Sequence, residues 1–380
     1  PITYQQEELK ELKFLKLVWE SSKVPVVDKN NTLIGFFPKT NSELFMKSKE
    51  KISIVAPTRI TFAGGGSDIS HWFDKREGCV LNLAIAKYAR VNISRNYSTE
   101  INITSLNTGE KLNLNITEVN SYKASILQIV VNCLKVCKIK DGINIQIFCD
   151  FEPGTGLGGS SSLVVALVKG LTSLFGFEIS MRQLIKMAYY IEREESEIAG
   201  GWQDQIIAAY GGLCLTEFNN GDFSTKKIKL ESAQFDNLNS SLFLSKIGNA
   251  RSSNAIHREQ EKNKNDKKYI EDISNIVELA KECSREFCNG NFESLGSALH
   301  EGWLLKKRLG KFISNEKIDQ RYNKLIEFGA SGGRLLGAGG AGFLLVLVPR
   351  ANQLNFLKNC INNSISIDRL AIDPDGVREI

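Results

Sequence analysis

Residues Glu152-Pro153-Gly154-Thr155-Gly156-Leu157-Gly158-Gly159-Ser160-Ser161-Ser162 run directly into Leu163-Val164-Val165-Ala166-Leu167-Val168-Lys169-Gly170-Leu171. Glycines let a backbone approach a ligand closely and turn its N–H groups inward. An apolar helix opening at the serines adds the positive end of its dipole. Together these features make an anion site suited to nucleotide phosphates. No Gly-Lys-Ser or Gly-Lys-Thr closes the run, so it is not a Walker A loop. Standing alone, it reads equally well as a tight turn with serine caps.

Two further glycine clusters flank it in the chain. Ala56-Pro57-Thr58-Arg59-Ile60-Thr61-Phe62-Ala63-Gly64-Gly65-Gly66-Ser67-Asp68 leads a strand into a glycine turn that ends on a carboxylate. Leu336-Gly337-Ala338-Gly339-Gly340-Ala341-Gly342-Phe343-Leu344 precedes a buried strand. Hydrophobic periodicity predicts strands at 52–55, 59–63, 80–86, 89–95, 143–149, 213–218, 242–246 and 343–348, with an edge hairpin at 100–105 and 111–116. Helical spacing falls at 124–136, 161–175, 182–196, 254–285, 291–308 and 316–328. Strands and helices mixed in two halves imply an α+β architecture.

A chain of 380 residues favours two or three domains. Lys and Arg number 48 against 43 Asp and Glu, a net charge of +5, with no basic stripe of the kind nucleic acids require. No run reaches the eighteen or so apolar residues of a membrane span. The polar start, PITYQQEELK, reads as lacking a signal peptide, and its missing Met suggests a processed or fragmentary sequence. Eight scattered cysteines without a CxxC pair read as buried reduced thiols and imply a cytoplasmic protein.

From about residue 51 to 380, the three glycine clusters in this order resemble the three motifs of the GHMP kinases. Within that superfamily the chain is most similar to the heptose 7-phosphate kinases. The resemblance is carried by FAGGGSDIS at 62–70, Gly200-Gly201-Trp202-Gln203-Asp204-Gln205, Asn249-Ala250-Arg251-Ser252-Ser253 and Glu301-Gly302-Trp303 leading to Lys306-Lys307. Galactokinases carry an acid and a His where this chain has Gly65-Gly66. Other departures are Ala341 in place of a glycine, Arg334 in place of a Lys, and Asn249-Ala250 leading into Arg251.

The resemblance implies ATP and Mg²⁺ as cofactors, a small sugar phosphate as partner, and a monomer or homodimer. It implies Asp204, on a loop after the 182–196 helix, as the group that accepts or orients the proton of an anomeric hydroxyl. Arg59 would neutralise charge on the transferring phosphoryl group, in a reaction that depends on positioning and charge stabilisation. Pro153, Gly154, Gly156, Leu157, Gly158, Gly159, Ser160, Ser161 and Ser162 would cradle ATP. Ser161 and Glu192 would hold Mg²⁺, with Ser160 as the alternative hydroxyl and Glu194 or Glu195 as the alternative acid. Gly65, Gly66, Ser67, Asp68, Gln203, Gly339 and Gly340 would contact the acceptor, and Arg251 would clamp the acceptor's own phosphate. Lys306 and Lys307 read as surface residues, with a phosphate-binding role as the alternative, and Trp72, Trp202 and Trp303 as core packing or as platforms for sugar or adenine.

The implied architecture is a stub at 1–50, an ATP-binding domain at 51–220 and a C-terminal domain at 221–380, with the site between the two. Val24 to Gly35 reads as a short hairpin with a turn at Lys29-Asn30-Asn31, followed by a helix from Asn41. This pattern resembles the closing strands of a CBS repeat. Three rival functions stay open: an anomeric kinase for an unphosphorylated sugar such as fucose or galactose, a catalytically idle ATP or sugar sensor, and the superfamily's decarboxylase branch.

Overall fold

The structure is a computed structural model that describes residues 4–5, 23–27, 33–38, 48–123, 127–248, 254–289 and 294–380. Lys51–Ala63 and Gly78–Arg95 form two long antiparallel strands, and everything else in the first half is arranged on them. The sequence pattern divides each into two short strands, at Pro57 and near Lys87. In the fold each runs through, because a register shift at Pro57/Thr58 absorbs the proline and bends the ladder.

In chain order the strands are β1 (Tyr4–Gln5), β2 (Lys23–Val27), β3 (Leu33–Pro38), β4 (Lys51–Ala63), β5 (Gly78–Arg95), β6 (Glu100–Ser105), β7 (Lys111–Asn115) and β8 (Ile143–Cys149). They continue with β9 (Leu213–Asn219), β10 (Asp222–Ile228), β11 (Leu242–Ile247), β12 (Gly332–Leu335), β13 (Gly342–Leu347), β14 (Asp368–Arg369) and β15 (Arg378–Glu379). β4 covers one edge of β5. The other edge of β5 pairs with β9 along its first half and β8 along its second. β10 extends β9, the β6–β7 hairpin extends β8, and β15 returns from the chain end to close on β4. The expected division at 220/221 therefore falls in the turn between β9 and β10 of this one sheet. A second, four-stranded sheet has the order β12-β13-β11-β14.

Besides a single helical turn at Ser70–Phe73, the helices are α1 (Gln128–Val136), α2 (Gly159–Leu174), α3 (Met181–Tyr190), α4 (Gln203–Tyr210), α5 (Ser232–Ser241), α6 (Asn254–Asn263), α7 (Lys267–Cys288), α8 (Ser294–Arg308), α9 (Glu316–Glu327) and α10 (Gln353–Asn362). α2 is apolar nearly all round and buried against β4 and β5, the behaviour of a core helix. Gly170 allows the close fit: a Cβ there would stand 2.9 Å from Ile93 Cδ1. The predicted 182–196 helix is regular only to Tyr190, and Ile191–Glu195 then widens into a π turn. Such turns re-aim side chains and recur at functional sites.

At the N-terminus β2 and β3 pair antiparallel, as the hairpin reading expects, and β1 joins β2 in parallel. The turn at 29–31 and the helix from Asn41 lie outside the described residues. None of the eight cysteines is in a disulfide. Among the described residues, no helix is long and apolar enough to cross a membrane.

Candidate active site

A cleft of about 570 Å³ opens where the end of β4, the loop before α2, the start of α4 and the glycine turn between β12 and β13 converge. β4 builds its floor. The backbone N–H of Arg59 donates to Leu157 O at 3.0 Å, and Arg59 Nη1 donates to Gly156 O at 2.7 Å. The glycine loop is thus tied to the strand both through the main chain and through this side chain. Gly156 has φ +81°, and a Cβ on it would stand 2.8 Å from Leu336 O. Glycine is required there by conformation and by space alike.

Asp204 lies in the first turn of α4, rather than on a loop. Its Oδ1 accepts from Arg59 Nε at 2.7 Å and pairs with Nη2 at 2.6 Å. This leaves Oδ2 beside the glycine loop, 3.2 Å from the place a Cβ on Gly158 would take. Any side chain at 158 would crowd that carboxylate.

Glu192, carried by the π turn, is fully buried at the edge of the cleft. Ser160 Oγ donates to its Oε1 and Ser161 Oγ to its Oε2, both at 2.5 Å, and Gln205 Nε2 donates to Oε2 at 2.7 Å. Arg193 lies 3.2 Å from Oε1 and also donates to the carbonyl of Gly201. A carboxylate flanked by two hydroxyls is an oxygen donor set that fits Mg²⁺, which takes its remaining ligands from phosphates and water. Among the described residues no group of three or more His, Cys, Asp or Glu forms a closed metal cage. Of the two hydroxyls, Ser160 lines the cleft, whereas Ser161 is fully buried and does not.

The acceptor-side wall is built around Asp68, which is almost fully buried. It accepts from the backbone N–H groups of Gly66 and Gln203, each at 3.1 Å, and from Gln203 Nε2 at 3.2 Å. Gln203 Oε1 in turn accepts from Thr61 Oγ1 at 2.9 Å. Burial, and then the negative charge of Asp204, push the Asp68 carboxyl above its ordinary pKa.

Several expected contacts are not made. Ser67 is fully buried away from the cleft; its hydroxyl donates to Gly64 O at 2.8 Å and accepts from Cys79 N at 3.0 Å, bracing the glycine turn. Ser162 likewise donates to Pro57 O at 2.7 Å. Leu157 is core, and Gly340 is not on the cleft wall. Gly65, Gly66, Gly339 and, in the glycine loop, Pro153, Gly154, Gly156, Gly158, Gly159 and Ser160 all line it. Arg251 lies outside the described residues. Trp202 stacks on Tyr189 at 3.7 Å, and Trp72 and Trp303 are core residues.

The sequence reading missed three participants: Thr61, Gln205 and Arg193. It also missed an apolar bay of Leu127, Ile129, Ile147, Phe151 and Ile198 that continues the cleft. Lys306 corrects an expectation outright. It is 6 % exposed and lines the cleft, because the last turn of α8 points it inward, while Lys307 pairs with Asp319.

Comparison with known proteins decides the family. Residues 125–212 match the GHMP kinases N-terminal domain and residues 265–364 the GHMP kinases C-terminal domain. The chain is a GHMP kinase. A Campylobacter jejuni relative named D-glycero-alpha-D-manno-heptose 7-phosphate kinase is 27% identical over 331 residues, 85% of this chain and 96% of that protein. The bifunctional fucokinase/GDP-fucose pyrophosphorylase of Arabidopsis thaliana is 28% identical over 346 residues, 86% of this chain but 32% of that larger protein. A solved D-glycero-D-manno-heptose 1-phosphate kinase from Bacteroides thetaiotaomicron shares the fold, with a TM-score of 0.71 at 23% identity over 87% of this chain and 98% of that one. This GHMP kinase has the mixed α+β, two-domain architecture of its family. The likeness of residues 1–50 to a CBS repeat is not borne out: the matched domains begin at residue 125.

Proposed function

We propose that this GHMP kinase transfers the γ-phosphoryl group of ATP to the anomeric hydroxyl of a heptose 7-phosphate, giving the 1,7-bisphosphate and ADP. The observation that carries the phosphotransfer reading is the Arg59–Asp204 pair facing the glycine loop, with Ser160 and Glu192 beside it. Asp204 Oδ2 takes or orients the hydroxyl proton as the sugar oxygen bonds to phosphorus and the bond to the β,γ-bridging oxygen breaks. Arg59 stabilises charge on the phosphoryl oxygens while remaining anchored to Asp204 and Gly156. Loop amides at the N-terminus of α2 hold the nucleotide phosphates, and the apolar bay accepts the base. Mg²⁺, held by Ser160 and Glu192, would supply charge neutralisation between the phosphates.

The choice of heptose 7-phosphate rests on the likeness to the Campylobacter enzyme. The similar identity to the fucokinase-containing protein makes an unphosphorylated sugar the second reading. Phosphorus NMR of the protein with Mg·ATP and, separately, heptose 7-phosphate, free heptose, fucose and galactose tests both. A new anomeric phosphate is expected from heptose 7-phosphate. Its appearance only with a free sugar would replace the acceptor, and ATP binding without transfer to any sugar would refute the kinase reading.

A further inference from the structure

Two buried cations in the cleft have no carboxylate partner among the described residues. Lys306 Nζ, at the end of α8, donates to the carbonyl oxygens of Leu335, at 2.9 Å, and Gly337. Carbonyls orient an ammonium without neutralising it, and one of its three N–H donors is left over. Arg334, on β12, is 3 % exposed; its Nη1 donates to Phe62 O at 2.9 Å, and its Nε has no partner. Both line the cleft.

The surrounding charges make this costly for the empty protein. Arg59 is neutralised by Asp204, and Glu192 has Arg193 beside it. Lys306 and Arg334 repel each other and Arg59. Burial followed by those neighbours lowers the Lys306 ammonium well below its ordinary pKa and Arg334 to about 10. Buried charge without a counter-charge is retained where a ligand completes it.

Resting on the phosphotransfer reading of the cleft, we propose that Lys306 and Arg334 form a second anion site that takes a phosphate monoester on the acceptor. The nucleotide phosphates already have the glycine loop, the α2 N-terminus, Ser160 with Glu192, and Arg59. The new pair comes from α8 and β12. It reaches the cleft through the carbonyl of Phe62, one residue from Thr61, whose hydroxyl holds Gln203 and through it Asp68. Two cations match a dianion, and a guanidinium suits phosphate oxygens. Specificity for a phosphorylated acceptor follows, because a neutral sugar would leave both charges unanswered.

Calorimetric titration of the full chain tests this, using wild type, Lys306→Met, Arg334→Met and the conservative Arg334→Lys. With MgADP present, affinity for heptose 7-phosphate is expected to fall at least about tenfold in each Met variant and less in Arg334→Lys, while free heptose changes by under about threefold. Affinity for MgADP, unchanged within about threefold, shows that the variants are folded. A loss seen only with an ATP analogue that retains its third phosphate would assign the pair to the transferring group and overturn the proposal. Equal losses for heptose and its 7-phosphate, or none for either, would overturn it as well. If wild type binds neither sugar, the acceptor reading fails and inorganic phosphate decides. Phosphate binding that disappears in both Met variants keeps the anion site, and binding that is absent or unaltered removes it.

Discussion

Among the described residues, Asp204 is the only carboxylate that Arg59 meets, and replacing it with Asn removes that charge while preserving shape. The Arg59 side chain is 6 % exposed and that of Asp204 17 %. Removing one partner of a buried ion pair costs 3–5 kcal/mol, chiefly through the charge left behind. The residual exposure of Asp204, and the bond Arg59 keeps to Gly156 O, favour the low end, about 3 kcal/mol. For 380 residues the unfolding entropy near 60 °C is about 0.8 kcal/mol/K, so the midpoint should fall by about 4 °C. Scanning calorimetry of the ligand-free protein reads this directly. Turnover should fall by about 10²–10⁴-fold with the loss of the general base. In a double-mutant cycle, Arg59→Met combined with Asp204→Asn should cost less than the two single changes added together, because no charge is then stranded. A midpoint within about 1 °C of wild type would show that Asp204 does not hold the Arg59 charge. Turnover reduced less than about tenfold would show that it is not the base.

Two other outcomes follow from the site. Ser160→Ala should raise the Mg²⁺ needed for half-maximal activity by about tenfold, whereas Ser161→Ala should cost about 1 kcal/mol of stability with little change in Mg²⁺ requirement. Metal titrations and denaturant melts separate the two, and reversed results would put Ser161 on the metal. Asp68 has a raised pKa, so the stability it contributes is present below the unfolded value of about 3.9 and is lost as pH rises through the folded value. The midpoint difference between Asp68→Asn and wild type should therefore move in the variant's favour across that interval and level off above it. A pH-independent difference would mean that burial does not raise the Asp68 pKa.

The parts of the site legible in the sequence are those that depend on local chain chemistry. Gly154, Gly156 and Gly158 all adopt positive φ, and such a run announces a loop that approaches a ligand. The apolar run after it could only be a buried helix, and its start supplies the anion site. Arg59, Asp68, Glu192 and Asp204 could be named because each sits within a few residues of a glycine turn or at a family spacing from one. Their mutual bonds could not be read, since the Arg59 to Asp204 contact spans 145 positions.

What stayed hidden depended on helix phase and on strand bending. Lys306 and Lys307 are neighbours of the same type, yet the phase of α8 buries one in the cleft and sends the other to Asp319. Ser160 and Ser161 divide in the same way at the first turn of α2, and a π turn after α3 decides that Glu192, rather than Glu194 or Glu195, meets them. Ser67 looked like part of the ligand turn, but the close approach of β5 claims its hydroxyl for Cys79. By itself the sequence determined the family, the α+β class and the glycine loop, because these are properties of contiguous residues. Only the tertiary structure decided which hydroxyls and cations face the cleft, because orientation is set by elements far apart in the chain packing to exclude water.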